Sequence, residues 1–322
     1  MPGGTSVSVV VASHARHLRL RWLLNALEEQ TLGRESWEVI VVHDYDAQTA
    51  ERVIARHPLS EAGLLRPIGI PAGTGSPARQ RNLGWRAALG ELVAFTDDDC
   101  RPEPEWLAHL LARAGEVPRA IVQGATRPDP FEHAVLAAPH VRTMRIDPVG
   151  PYAQTCNILY PRALLERLEG FDERAITGED VDLSLRARAA GVGVSAAPEA
   201  IVNHAVESHT LPGILRQNLK WRHLAYLVKR HPELRAHFPL RVFWDSDHAW
   251  TTLALLGLLG LSQNRALLTL LVPSALRLSR RRGPGRRARA VALFETPGQA
   301  LRQSAEVVGL VAGSVRHRTL LL

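Results

Sequence analysis

Six consecutive residues, Phe95-Thr96-Asp97-Asp98-Asp99-Cys100, set three adjacent carboxylates at the end of an apolar run. Neighbouring anions repel, and a fold that gathers them at a strand end normally supplies a compensating cation. Oxygen ligands suit Mg²⁺ or Mn²⁺, which bridge in turn to substrate phosphates. Such an ion neutralises charge developing on a departing diphosphate. An acidic turn capping the next helix is the alternative reading. A second acidic group, Thr177-Gly178-Glu179-Asp180-Val181-Asp182, stands at a helix start behind a glycine that permits close backbone approach. One carboxylate there can take a proton from an attacking hydroxyl; plain N-terminal capping is the alternative. His204 follows Val202 and Asn203 at the end of a third run and can ligate a metal through neutral imidazole, or serve structure alone.

The elements that must position these groups alternate along the chain. Residues 6–12, 37–43, 64–70, 92–96 and 120–126 read as strands, being short, apolar and β-branched. Residues 18–30, 48–57, 77–89 and 104–114 read as the helices between them. This order predicts a mainly parallel sheet with helices on both faces. Such sheets bind ligands beyond the C-terminal ends of their strands, where the carboxylates fall. Residues 131–152, with Pro139, Pro148 and Pro151, form a loop-rich crossing. Beyond it, 154–160 is a strand, 162–168 a short helix and 179–190 a helix, and 192–197 and 200–204 are short strands. The last third differs. Residues 211–230 form a basic amphipathic helix, and 250–261 and 266–278 are apolar pieces split by Ser262-Gln263-Asn264-Arg265. A span needs about 20 apolar residues, so the two pieces are expected as a helical hairpin, buried or interfacial. Arg280, Arg281, Arg282, Arg286, Arg287 and Arg289 follow. An apolar hairpin beside them suits an anionic membrane surface, at roughly 1 kcal/mol per basic residue; a helical subdomain with a solvated basic loop is the alternative.

The 322 residues are 46% hydrophobic, enough for a sizeable core, and carry a formal charge of +7. Lys220 and Lys229 are the only lysines. The arginine excess implies an anionic partner or a compositional bias. Cys100 and Cys156 have no metal-ligand spacing and are expected as reduced thiols of a cytosolic protein. Met1-Pro2-Gly3-Gly4 leads straight into a strand-like run, with no secretory pattern. The expected location is cytoplasmic, peripheral on the inner face of the cell membrane.

These residues, in this order, resemble the inverting glycosyltransferases of family 2, which have the nucleotide-sugar-binding GT-A fold. The resemblance runs from about Val7 to His204. It rests on the opening strand, the second strand ending at Asp44, Arg81-Asn82-Leu83-Gly84 before Ala88-Leu89-Gly90-Glu91, and the Asp97–Asp99 cluster. Gln123-Gly124, Gly170-Phe171-Asp172-Glu173, Gly178-Glu179-Asp180 and His204 complete it. It implies that Ala12, Ser13, His14, Arg16 and Asp44 hold the nucleotide, with Arg81 near its phosphates. Asp97 and Asp98 would contact ribose and metal, and Asp99 and His204 would complete the metal shell. Asp180 would be the general base, Glu179 would orient the acceptor, and Asn157 and Trp221 would contact it. The cofactor is Mg²⁺ or Mn²⁺. The partners are a nucleotide-sugar donor and a glycan or lipid-linked acceptor, with no nucleic acid. Of the family's Pro-x-Tyr-Asn-Arg after the first strand only Arg16 is kept, and His43-Asp44 replaces two acids, so the base stays open. Gln217-Asn218-Leu219-Lys220-Trp221 is similar to the Gln-x-x-Arg-Trp of processive members, with Lys for Arg. Two short apolar pieces are too few for a polymer channel, so single addition is expected.

The implied organisation is a GT-A catalytic domain over 1–210, with a nucleotide-sugar half to about 126 and an acceptor half beyond, then a helical region over 211–322. Two other readings compete. A nucleotidyltransferase would want a glycine-rich phosphate loop near the N-terminus, but Gly73-Thr74-Gly75-Ser76 comes late and lacks a following Lys. A non-enzymatic basic protein on nucleic acid or membrane fits the arginines, but aromatics are not interleaved with them as stacking platforms.

Overall fold

The computed structural model describes residues 5–150, 152–280, 283 and 285–322. Met1–Gly4, Pro151, Arg281, Arg282 and Pro284 lie outside the described residues. The chain divides into two compact units, Met1–Leu136 with Thr143–Glu207, and Ala137–Arg142 with Ser208–Leu322.

The first unit is built on eight strands: β1 Val7–Ser13, β2 Trp37–His43, β3 Leu65–Gly69, β4 Leu92–Asp97, β5 Cys100–Pro102, β6 Ile121–Pro128, β7 Asn157–Pro161 and β8 Val194–His204. Their order across the sheet is β3-β2-β1-β4-β7-β6-β8-β5. β1 pairs in parallel with β2 and β4, β2 with β3, and β6 with β8; β7 runs antiparallel to β4 and β6, and β5 antiparallel to β8. The helices are α1 His17–Glu28, α2 Ala47–Ala50, α3 Pro58–Glu61, α4 Pro77–Ala87, α5 Trp106–Glu116, α6 Arg162–Arg167 and α7 Glu179–Ala189. α2 runs on into a wider-wound turn, Glu51–Ala55.

Period-two alternation sends β1 side chains to opposite faces. Val9 and Val11 join a core with Leu20, Leu24 and Leu27 of α1 and Leu107 of α5. Val10 joins the other core, with Trp85 of α4, Leu164 of α6 and Leu183 of α7. Burial on both faces is the condition under which parallel strands read as unbroken apolar runs. Gly84 lets α4 approach β1, since a Cβ there would lie 2.4 Å from a Val10 methyl.

Two expectations need revision, and one strand was not foreseen. Residues 192–197 and 200–204 fall in one strand, β8, with an irregularity opposite the Gly124/Ala125 junction that absorbs Pro198, Glu199 and Ala200. Gly124 is required there, because a Cβ would stand 2.3 Å from the Ala200 carbonyl. β5 carries an arginine and a proline and has no strand-like pattern, yet it pairs with β8. In the second unit, 211–230 is not one helix: α8 Leu211–Asn218 and α9 Leu224–Arg230 flank a 3₁₀ segment, Leu219–His223.

The rest of the second unit holds α10 Ser246–Leu259, a 3₁₀ segment Arg265–Leu271, α11 Val272–Ser279 and α12 Arg286–His317. The two apolar pieces thus have unequal windings. α12, 32 residues with Pro297 inside, presses glycines against the 219–223 segment. A Cβ on Gly309 would meet the Leu219 carbonyl at 3.2 Å, and one on Gly313 the Arg222 carbonyl at 2.1 Å. Among the described residues, no helix is long and apolar enough to cross a membrane.

Candidate active site

Register assembles the site. Ser13 pairs with His43 and Ala12 with Asp97, so the parallel strands β1, β2 and β4 end together. Thr96 pairs with Asn157, and Cys100 with His204. His204 is thereby brought beside the acidic turn although 104 residues separate it from Cys100 in sequence.

The nucleotide-side residues cluster at these ends. Asp98 is buried and accepts from Ser13 Oγ (2.7 Å), the His14 amide (3.3 Å) and Arg16 Nη1 (3.4 Å). Burial pushes its carboxyl up to about 7; Arg16 opposes that and Asp99 adds to it. His14 is exposed and pairs through Nδ1 with Asp44 (2.7 Å). Ala12 supplies backbone at the end of β1. Three residues passed over at the sequence level also converge. Tyr45 bonds Ser13 Oγ at 2.6 Å, and burial pushes its hydroxyl up to about 12. Gln80 donates to the Ser13 and Val42 carbonyls (3.0 and 3.1 Å), clamping the ends of β1 and β2. Glu207 stands 3.6 Å from Arg16. Lone polar residues carry no sequence signal for such roles.

Arg81 joins the two acidic stretches. It is buried in the middle of α4, and its guanidinium donates to Asp97 (2.7 Å) and to Glu179 (2.6 Å). Asn82, next to it, donates to the Phe171 carbonyl (2.9 Å) and to Glu173 (3.0 Å) and accepts from the Phe171 amide (2.9 Å), tying α4 to the 170–173 turn. Gly178 caps α7 at φ 80°, a conformation open to glycine. Glu179, Asp180 and Asp182 follow in the first turn, where the helix dipole favours anions. Asp180 is half-buried, and its Oδ2 accepts from the Thr155 amide at 3.4 Å. Burial, reinforced by the charge of Glu179, pushes its carboxyl up to about 7 against the pull of Arg81.

Asp99, Cys100 and His204 offer ligand atoms within 4.8 Å of one another. Asp99 Oδ2 accepts from Arg16 (2.6 Å), while its buried Oδ1 has no hydrogen-bond partner and lies 3.7 Å from His204 Nε2. His204 Nδ1 donates to the Ala205 carbonyl at 2.9 Å, so the neutral tautomer would turn the Nε2 lone pair toward Asp99. Two acceptors facing each other fit a shared cation. The carboxylate oxygen suits Mg²⁺ or Mn²⁺, and the imidazole favours the softer Mn²⁺ of the two. Burial raises the Cys100 thiol well above its ordinary range, so it stays protonated and is a poor ligand for such an ion. Asp97, expected as a ligand, is not in this group and turns Oδ1 to Arg81.

Asn157 is placed otherwise than expected. Asn157 is 1% exposed. Its amide donates to the Ala125 and Ala200 carbonyls (2.8 and 2.7 Å) and accepts from the Trp106 indole (2.8 Å). Its polar atoms are spent inside the sheet, which leaves none for an acceptor. Trp221 lies in the second unit, edge-on to Trp244 and His248 with ring centroids 6.0 and 5.0 Å away.

A mostly parallel sheet with acids at its strand ends defines a GT-A type fold. Comparisons with known proteins agree. The profile described as "Glycosyl transferase family 2" matches residues 8–166, and "Glycosyl transferase family group 2" matches residues 92–279, over half the chain. The chain belongs to glycosyltransferase family 2. It is 30% identical over 194 residues to the pre-mycofactocin glycosyltransferase of Mycobacterium tuberculosis, covering 56% of this chain and 40% of that one. It is 26% identical over 207 residues to glycosyltransferase AglE of Haloferax volcanii, covering 62% of this chain and 66% of that one. This chain therefore matches about two fifths of the mycobacterial relative's length and two thirds of the archaeal one's. The mannosyltransferase PcManGT of Pyrobaculum calidifontis, solved with GDP-Man and Mn²⁺, superposes with TM-score 0.60 at 18% identity, over 98% of this chain and 87% of that one. TarS residues 1–349 of S. aureus, solved with UDP, gives 0.52 at 16%, over 98% and 92%.

Proposed function

We propose that the protein transfers one sugar from a nucleotide-diphosphate sugar to an acceptor hydroxyl, inverting the anomeric centre, with Asp180 as general base. The observation that carries this reading is the Arg81 bridge, which holds Asp97 and the Glu179–Asp180 turn at one place. Asp180 would take the hydroxyl proton as that oxygen bonds to the anomeric carbon. The bond from that carbon to the diphosphate oxygen breaks, and its electron pair leaves with the diphosphate. One base on the attacked side suffices for this displacement. Glu179 would orient the acceptor while anchored to Arg81. Asp98, Ser13, His14, Arg16 and Asp44 would hold the nucleoside. Asp99 and His204 would hold Mg²⁺ or Mn²⁺, which when bound supplies positive charge for the departing diphosphate. A glycan or lipid-linked glycan is the acceptor class in this proposal.

Asp180→Asn tests it. The variant should lose transfer by 10³-fold or more, on the order expected for removing an essential base, while binding nucleoside diphosphate as tightly as the parent. Turnover within tenfold of the parent would remove Asp180 from the role. A thermal-shift screen of UDP, GDP and dTDP, each with and without Mn²⁺, identifies the base, which the pair of exposed His14 with Asp44 leaves open.

A further inference from the structure

We infer that the second unit seats on an anionic lipid surface through the outer face of α12 and the arginines at the two ends of that helix. Between residues 291 and 315 of α12, every exposed residue is apolar. Phe294, Leu301, Val308 and Val315 recur at seven-residue spacing and are 88, 51, 53 and 76% exposed. That spacing is close to two helical turns, so they share one stripe about 32 Å long, from residue 294 to residue 315. Exposed apolar stripes of this extent mark a binding face.

Charge decides what covers it. From His248 to Phe294 the chain has eight arginines and no aspartate or glutamate. Exposed apolar residues of α10 and α11, such as Leu256, Leu259 and Leu276, lie within this stretch. Arg286, Arg287 and Arg289 open α12, and Arg316 and Arg318 close it, so both ends are cationic. Two copies laid stripe to stripe, in either direction, would bring arginine against arginine. An anionic bilayer meets the apolar side chains with acyl chains and both arginine groups with headgroups. Contact runs along the surface, since none of the described helices can cross. On this reading the protein is peripheral.

The test floats the full chain with vesicles of phosphatidylcholine alone and of phosphatidylcholine mixed with phosphatidylglycerol. Neither donor nor acceptor is present, so the outcome is independent of the transferase reading. The protein should float with the anionic vesicles and not the neutral ones, and added salt should weaken binding. Arg286→Gln, Arg287→Gln and Arg289→Gln together should lower partitioning roughly a hundredfold, about fivefold each. Phe294→Asp with Val308→Asp should abolish it while leaving the melting temperature unchanged, since both side chains are exposed. Failure to float, or equal floating with neutral vesicles, overturns the inference. So does a lipid-free dimer by light scattering that Val308→Asp dissociates, which would assign the stripe to a second copy.

Discussion

Asp180 and Asp98 are acids held near neutrality by burial, and this gives stability a pH dependence of definite sign. The ordinary carboxylate value is 3.8, and both groups are pushed up to about 7. Between those values the folded protein keeps protons that the unfolded chain has released. The contribution of these two acids to stability therefore falls as pH rises from about 4 to about 7, and stays lower above it. Without metal or nucleotide, urea unfolding at pH 5.5 should give a higher midpoint than at pH 8 (values about 1.5 units below and 1 above the shifted pKa). Asp180→Asn should narrow that gap by roughly 1 kcal/mol, about half of the undiscounted value, once water screening is allowed for. A variant with an unchanged gap would mean that Asp180 is an ordinary acid. The same proton limits catalysis, because a base must be empty to accept. On the proposed mechanism, kcat/KM should climb through about pH 7 as Asp180 ionises. Asn157 makes the opposite case, a polar residue beside the acids with no free atom. Asn157→Ala would orphan two carbonyls and an indole N–H, at about 1–3 kcal/mol each. It should cut the unfolding free energy by several kcal/mol in urea, and a drop in acceptor affinity at unchanged stability would reinstate it as a binding residue.

The helices act on the site through single close contacts. α4 delivers Arg81 as a fork between two carboxylates, a geometry that lysine cannot span. Arg81→Lys should destabilise by about 3 kcal/mol, since it leaves one buried carboxylate without its cation. Calorimetric melting checks this, and an unshifted melting temperature would show the bridge to be energetically idle. In the second unit, the contact of α12 with the 3₁₀ segment depends on having no side chain at Gly313. Gly313→Ala should cost about 1–3 kcal/mol by overpacking, readable as earlier exchange of the amides at 219–223. Periodicity alone assigns that segment to a continuous helix. What breaks it is the backbone of a helix some ninety residues later in the chain (Arg222 to Gly313).

For the molecule as a whole, metal and nucleotide binding should be linked to stability, because both would join groups from distant strands. Ligand at about a hundred times its Kd adds roughly 2.7 kcal/mol. Mn²⁺ with the fitting nucleoside diphosphate should raise the melting temperature more than the sum of each alone. His204→Ala should abolish the Mn²⁺-dependent part and keep any metal-free nucleotide shift. Equal metal response in that variant would move the ion away from the Asp99–His204 pair.

Much of this protein is legible in its primary structure because the signals are local. Apolar runs bounded by glycine and proline announce the strands and helices. Three acids ending a run announce a ligand-binding edge, since in parallel sheets strand ends and sites coincide. Family motifs at Arg81, Asp97–Asp99 and Glu179–Asp180 name the parts. Other features belong to tertiary structure alone. That His204 faces Asp99 and that Asn157 is spent within the sheet depend on strand register, which pairs residues tens of positions apart, and that Arg81 spans two acidic stretches depends on where helix α4 lies beside the start of α7. The apolar stripe of α12 depends likewise on which side of that helix its neighbours cover, and periodicity does not record the neighbours.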